Sequence, residues 1–581
     1  MNNFNSAAFL SSDDLTSSSY LNTSSETTLP AKRHGGNVFI GEKDFRLFID
    51  RIPSQVRGDL MQVSQLGLKE LWLGKSPGNH NRWHHSVGCF NAGLFWLAVL
   101  EQDERVPKHC LSWPLDSWEK VRAVVGTALL LHDFGHLPFS HMIEEVLASM
   151  NWLPPSHVSG LEATVLTERL QSEAFASTWK WLSGEILGKQ SPRPVRPSQA
   201  RCLVEALIVG RYPVPWIQTI VNSAIDADKI DYIRFDSAFL HDCPHPTRSR
   251  LQQENPSQWL AEFLSEQEVN HAGLIRLNGR SAVAAADLCR ERMFISDRLY
   301  LSPELRVAER MAFEIIQQFV IRSTMSSEFS RRAGMPFGTD FGLRFHAEFS
   351  NSACTPGDVG RIKYETVRDN LLYMLPGTGG RMREFPLLVR MASAIQSCPG
   401  IDPKYKEFLS RCLSSLQDLC PGEVGTPTSD LRSLVRSSLV REPIVFARSE
   451  FTKAREVIRQ IQHSYAREAL IDLIRLPRLL GAPDRWRCGP LGSLTTGVDY
   501  TILVPDGPVE SWGPGKVAAT PLTDEAVDSL DRPFCRVIVV APSDAASSRA
   551  EYIWDRVRSA LMEGGVKLVE TKRDIYDYRR H

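Results

Sequence analysis

Long stretches of the chain place apolar residues three and four positions apart, and short breaks rich in Pro, Gly and Ser separate them. That spacing is the period of a helix burying one face. It predicts helix from "FRLFIDRIPSQVRGDLMQVSQLG" onward, then over 84–102 ("HHSVGCFNAGLFWLAVLEQ") and 117–133 ("SWEKVRAVVGTALLLHD"). Further helices are predicted at "GLEATVLTERLQSEAF", "AIDADKIDYIRFDSAFL", "AAADLCRERMFISDRLY", "LRVAERMAFEIIQQFVIRS" and "EFTKAREVIRQIQHSYAREALIDLI". Breaks at 187–198, 352–360 and 375–384 read as loops within a helical body. After residue 484 the pattern changes: "VDYTILVP" and "CRVIVVAP" read as strands, and "SSRAEYIWDRVRSALMEGG" as a helix beside them. Residues 1–34, rich in Ser, Thr and Asn, are expected to be a disordered tail. The expected architecture is mainly α, with a large helical domain over 35–483 and a small α/β region over 484–581. No internal repeat is evident.

Composition narrows the function classes. With 67 basic against 68 acidic residues the net charge is -1, which gives no support for wholesale attraction to nucleic acid or membrane. The start, "MNNFNSAAFLSSDD", lacks a basic-then-apolar signal, and the longest apolar runs are too short to span a bilayer. Eleven cysteines without a C-x-x-C pair read as reduced thiols in a cytoplasmic protein. Neither a disulfide framework nor a thiolate zinc site is expected.

The chemistry concentrates at a few places. In "LLHDFGHLPFSH" an apolar helix ends on His132 and Asp133, so packing holds the backbone while both side chains face a cavity. His85 opens another apolar helix, just after Arg82. In "AIDADKIDY" Asp228 shares one helix face with Lys229, Tyr232 and Asp236. Imidazoles with carboxylates suit a borderline or hard divalent ion that keeps positions open for water and phosphate oxygen.

The series "QLG…PGNHNRWHHSVG", "LLHDFGHLPFSHM" and "AIDADKIDYIRFD" resembles the HD-domain deoxynucleoside triphosphate triphosphohydrolases, the family of the bacterial dGTPases and of the animal enzyme that joins a SAM domain to an HD domain. The resemblance covers residues 45–305 and is closest to the animal-type branch. It implies a metal held by His85, His132, Asp133 and Asp228, the ion being Fe, Mn, Mg or Zn. It implies that His141 lies beside the scissile ester, supported by Glu144 and His157. Arg82, His136, Lys229 and Arg292 would hold the triphosphate, and Gln65 and Asp236 would read the sugar 3′-hydroxyl. Leu66 would exclude a 2′-hydroxyl, and Tyr232 and Tyr300 would wall the sugar. The implied reaction is hydrolysis of a dNTP to deoxynucleoside and inorganic triphosphate, lowering dNTP pools, with a role in antiviral or antiphage defence by analogy. A homo-oligomer, tetramer or hexamer, is implied as well.

The chain departs from the family pattern in places. Val158 follows His157 where the family often has Glu, and Ser296 and Ser302 stand where further histidines are usual. "DRIPSQVR" (50–57) matches the family's nucleotide-sensing segment only loosely, which leaves a nucleotide effector open. His84 duplicates His85 and is expected beside the site or at the surface. Competing readings are another HD phosphohydrolase, such as a 5′-nucleotidase or a cyclic-nucleotide phosphodiesterase, and a catalytically silent nucleotide-sensing scaffold. Gln65, Leu66 and Asp236 favour a deoxyribonucleotide over the other phosphohydrolases, and retention of all four implied metal ligands argues against the silent scaffold.

Overall fold

The computed structural model describes residues 48–65, 81–139, 166–239, 256–325, 384–417, 437–475 and 534–569 with short gaps inside these spans, together with Gly67, Met142, Ile143, Val146 and strand pieces at 29–30 and 37–38. The strand pieces, β1 (Leu29–Pro30) and β2 (Asn37–Val38), pair antiparallel. The "VDYTILVP" stretch lies outside the described residues.

Helix α1 (Ser54–Gln62) starts only after Pro53, because the residue before a proline is pushed out of helical geometry. The next two helices form the centre of the molecule. Helix α2 (Arg82–Gln102) begins where the Asn81 side chain accepts the His84 N–H at 3.0 Å, and helix α3 (Trp118–Leu131) where Ser117 accepts the Lys120 N–H. Both are buried nearly all round, which explains their apolar composition on every face. Around them pack α4 (Ala176–Trp181), α5 (Pro197–Ile208), α6 (Pro215–Val221) and α7 (Ala227–Phe239), followed by α8 (Pro256–Ser265) and the hairpin β3 (Gln267–Val269) and β4 (Ile275–Leu277). Trp96, Trp216 and Trp259 are fully buried in this core. Each buried Val, Leu or Ile contributes about 1.5–3 kcal/mol relative to an exposed one. Such packing holds Leu131 and the residues after it in one place.

A second core gathers α9 (Pro303–Met325), α10 (Glu384–Ser397) and α11 (Pro403–Gln417). It continues onto one face of a sheet made of β5 (Ile444–Ala447), β6 (Leu470–Arg475) and β7 (Phe534–Val540), in the order β5-β7-β6 with both pairings antiparallel. Helices α12 (Phe451–Tyr465) and α13 (Ser548–Glu563) cover the other face. Ile538 and Val540 point into the helical core, whereas Cys535, Val537 and Val539 point toward α12 and α13. Burial on both faces is why Val537–Val540 reads as a continuous apolar run.

The chain is therefore mainly α with a small C-terminal β-sheet region. One predicted helix is shorter than its pattern suggests. The helix expected over 450–474 stops at Tyr465, and its last residues form β6. A short apolar run satisfies either period, and pairing with β7 decides between them. Among the described residues no helix is long and apolar enough to cross a membrane.

Candidate metal centre

Three helix ends converge at the site. His85 lies in the first turn of α2, His132 and Asp133 follow the last residue of α3, and Asp228 lies in the first turn of α7. The start of α7 is fixed by Asp226, whose carboxylate accepts the Ser223 N–H at 2.8 Å and the Lys229 N–H at 2.9 Å. After α3 the chain turns through Asp133–His136, and Phe139 takes a φ of 67°. That left-handed conformation costs a non-glycine residue roughly 1–2 kcal/mol. The buried Phe139 side chain, packed in the second core, holds it there.

His85 is completely buried, and its Nε2 lies 2.9 Å from Asp228 Oδ1 and 3.8 Å from Asp133 Oδ2. The His132 ring meets it edge-on at 5.3 Å between centroids. His132 Nδ1 lies 2.7 Å from the Leu129 carbonyl, which can only accept, so Nδ1 donates and the neutral ring carries its lone pair on Nε2. That Nε2 is buried without a hydrogen-bond partner, 3.5 Å from Asp133 Oδ1 and 3.9 Å from Asp228 Oδ1. A buried acceptor left in this state costs about 1–3 kcal/mol, and a cation between these groups would relieve it.

His85, Cys89, His132 and Asp228 offer ligand atoms that all lie within 4.8 Å of one another, a set positioned to coordinate one divalent ion. Cys89 was not anticipated from the sequence. It stands one helical turn after His85, and its Sγ lies 3.5 Å and 3.6 Å from the two ring nitrogens. Burial pushes its thiol well above the usual range. In sequence it passes for one more apolar core residue of α2, and its only signal is the four-residue spacing from a histidine.

The electrostatics are those of a site held charged under burial. Burial would raise Asp133, but Arg82, His132 and His136 outweigh it and hold the carboxyl well below the usual range. Arg82 Nη1 sits 2.8 Å and His136 Nε2 3.1 Å from this carboxylate. Burial also opposes ionised Asp228, yet the His85 hydrogen bond and the Lys229 charge pull it below the usual range. Lys229 is raised, because Asp226 at 2.7 Å and Asp228 at 3.7 Å outweigh its own burial. His85 is raised well above the usual value: burial lowers it, but the Cys89 sulfur and hydrogen bonds to Asp228 and Asp231 prevail.

Beyond the donors, Arg292 is near enough to act on the titration of Lys229 and Tyr232. The Tyr232 and Tyr300 rings meet at 6.2 Å, and the Tyr300 hydroxyl donates to Asp236. Gln65 follows Ser64, whose bridge to Asn81 sets it beside the start of α2, and its Oε1 is buried without a partner. His84 is buried too, but His85 is the residue that faces Asp228. Leu66, His141, Glu144 and His157 lie outside the described residues.

Fold and site together define a class: a mainly α-helical protein with a buried cluster positioned to coordinate a single divalent ion. No family model matches the chain. It is 26% identical over 194 residues to the uncharacterized protein YwfO of Bacillus subtilis, a match spanning 33% of this chain and 36% of that protein. It is likewise 26% identical over 181 residues to an uncharacterized MG461 homolog of Mycoplasma pneumoniae, spanning 31% of this chain and 36% of that protein. The match thus covers about a third of the length of each curated relative. A crystal structure of a phosphohydrolase from Bacteroides thetaiotaomicron overlaps 89% of this chain and all of its own, with a TM-score of 0.43 and 14% identity.

Proposed function

We propose that the protein is a metal-dependent dNTP triphosphohydrolase, cleaving a dNTP into deoxynucleoside and inorganic triphosphate. The observation that carries the reading is that helix α7 bears Asp228 of the donor cluster, then Lys229 against it, then Tyr232 facing Tyr300, whose hydroxyl donates to Asp236 of the same helix. It joins a metal site, a cationic patch and an aromatic wall with a carboxylate, which are the three things a nucleoside triphosphate presents surfaces for.

What a bound divalent ion supplies is polarisation of a phosphoryl oxygen and activation of water. On this reading His85, His132, Asp133 and Asp228 hold the ion, and Cys89 stands with them. Arg82, His136, Lys229 and Arg292 bind phosphate oxygens, Arg82 being oriented by Asp133 and Lys229 by Asp226. Tyr232 and Tyr300 enclose the sugar, Asp236 and Gln65 accept its 3′-hydroxyl, and Leu66 excludes a 2′-hydroxyl by leaving it without a partner. His141, assisted by Glu144 and His157, gives a proton to the departing 5′-oxygen. Assembly into a homo-oligomer, action in the cytoplasm and response to a nucleotide effector belong to the same proposal.

Product analysis tests it. Purified protein is incubated with each dNTP, singly and mixed, with Mg²⁺ or Mn²⁺. Deoxynucleoside together with intact triphosphate is the expected result. Absence of turnover in every combination, or release of pyrophosphate or orthophosphate instead, sinks the reading.

A further inference from the structure

We infer that Asp231 is a positioning residue of the metal centre, holding the Nδ1–H of His85 so that Nε2 faces the ion. The inference deepens the metal-centre reading above and rests on it.

Both nitrogens of the His85 ring face carboxylates of α7: Nε2 lies 2.9 Å from Asp228 Oδ1, and Nδ1 lies 2.8 Å from Asp231 Oδ2. The two sides are not equivalent. Nε2 is turned toward His132, Asp133 and Asp228, where an ion would sit, and Nδ1 is turned away from them. The ligand atom is therefore Nε2. Asp231, three residues after Asp228 and so one turn further along the same helix face, grips the ring from behind. A carboxylate oxygen can only accept, so Asp231 requires a proton on Nδ1 and leaves the Nε2 lone pair for the metal. The same bond opposes a half-turn of the ring, which would withdraw Nε2 from the cluster.

Gly88 supplies an independent observation. It lies on α2 one turn beyond His85, and a Cβ there would overlap the Asp231 carboxylate. The absence of a side chain at position 88 is what lets the carboxylate slot between the two helices and reach the ring. Only 18% of the Asp231 side chain is exposed, so this is a seated group and not a solvated one. Nothing in the sequence pattern marked Asp231, because Asp228, Tyr232 and Asp236 carried the reading of that helix.

Co²⁺ alone is the probe, titrated into metal-free full-length protein against a competing chelator, with its visible spectrum recorded. Asp231→Ala is expected to weaken Co²⁺ binding roughly 10- to 100-fold, the range for loss of a partner behind a ligating histidine, and to change the spectrum. Asp231→Asn, which keeps the shape that fills the notch at Gly88, is expected to weaken it less, and decides the matter if the alanine variant does not fold. Arg306→Met serves as control, because it breaks an ion pair with Asp472 and Glu309, neither of which belongs to the donor cluster; its Co²⁺ affinity and spectrum are expected to stay at wild-type values. Wild-type affinity and spectrum in both Asp231 variants overturn the inference, and so does an equal loss in Arg306→Met. A wild-type protein that binds no Co²⁺ overturns the metal centre itself, a failure recognisable before any variant is made.

Discussion

Two of the regions in which the described residues bury charge treat it differently. At the C-terminal sheet, Arg306 of α9 forks onto Asp472 of β6, with Nε at 2.8 Å from one oxygen and Nη2 at 3.0 Å from the other, and Nη1 reaches Glu309 at 3.1 Å. Each carboxylate oxygen of Asp472 has its own donor, and the pair holds a helix to a sheet. At the metal centre the charges are more crowded. His85, His132, Asp133, Asp228 and Lys229 share partners, several contacts lie between 3.5 and 3.9 Å, and His132 Nε2 makes no hydrogen bond. A buried ion pair that serves stability closes its hydrogen bonds. One that serves an incoming ion leaves them open, and the difference can be read from distances alone.

The largest effect should come from the open cluster. Asp228→Ala is expected to abolish metal binding and to lower any hydrolytic turnover by roughly 1000-fold or more, since a lost Lewis acid is worth several kcal/mol. Far-ultraviolet circular dichroism should remain that of the wild type. A variant retaining both metal content and turnover would falsify the placement of the site.

Breaking the closed pair should do the converse. Arg306→Met leaves Asp472 buried and unpaired, which is expected to cost about 3–5 kcal/mol in denaturant unfolding while metal affinity is unchanged. The pair also predicts a pH dependence. Burial raises Asp472, but Arg306 outweighs it and holds the carboxyl below its usual value. A group depressed in the fold stabilises it fully above the unfolded value, and that contribution drains away as pH falls through the folded one. Replacing both partners, Arg306→Met with Asp472→Leu, should therefore flatten the loss of stability on the acid side. An acid limb as steep as that of the wild type would show that other carboxylates dominate it.

The smallest effect concerns where binding energy is felt. Saturation with metal at about 100 times Kd should stabilise the chain by about 2.7 kcal/mol. Hydrogen exchange should slow most at the first turns of α2 and α7 and least in β5–β7. Uniform slowing across both regions would erase the contrast between them.

How much of this was legible in advance differs by residue, for physical reasons. His132 and Asp133 stood out because a buried helix ends on them, and Asp228, Lys229, Tyr232 and Asp236 because polar groups recurred on one helix face. Cys89 and Asp231 did not stand out. A cysteine within "SVGCFNAGLFW" is indistinguishable from core, and Asp231 matters only through Gly88 and His85 on a different helix. Likewise β6 is decided by β7, a partner distant in sequence, and no local window contains that information.

That same strand order has a consequence for synthesis. The central strand of the sheet, β7, is the last of the three to be made. Until it emerges from the ribosome, β5 and β6 have nothing between them, and the face of α9 that packs on β7 stays bare. The nascent chain thus carries an exposed apolar surface through a long interval of elongation, and chaperone demand should peak just before residue 540 appears.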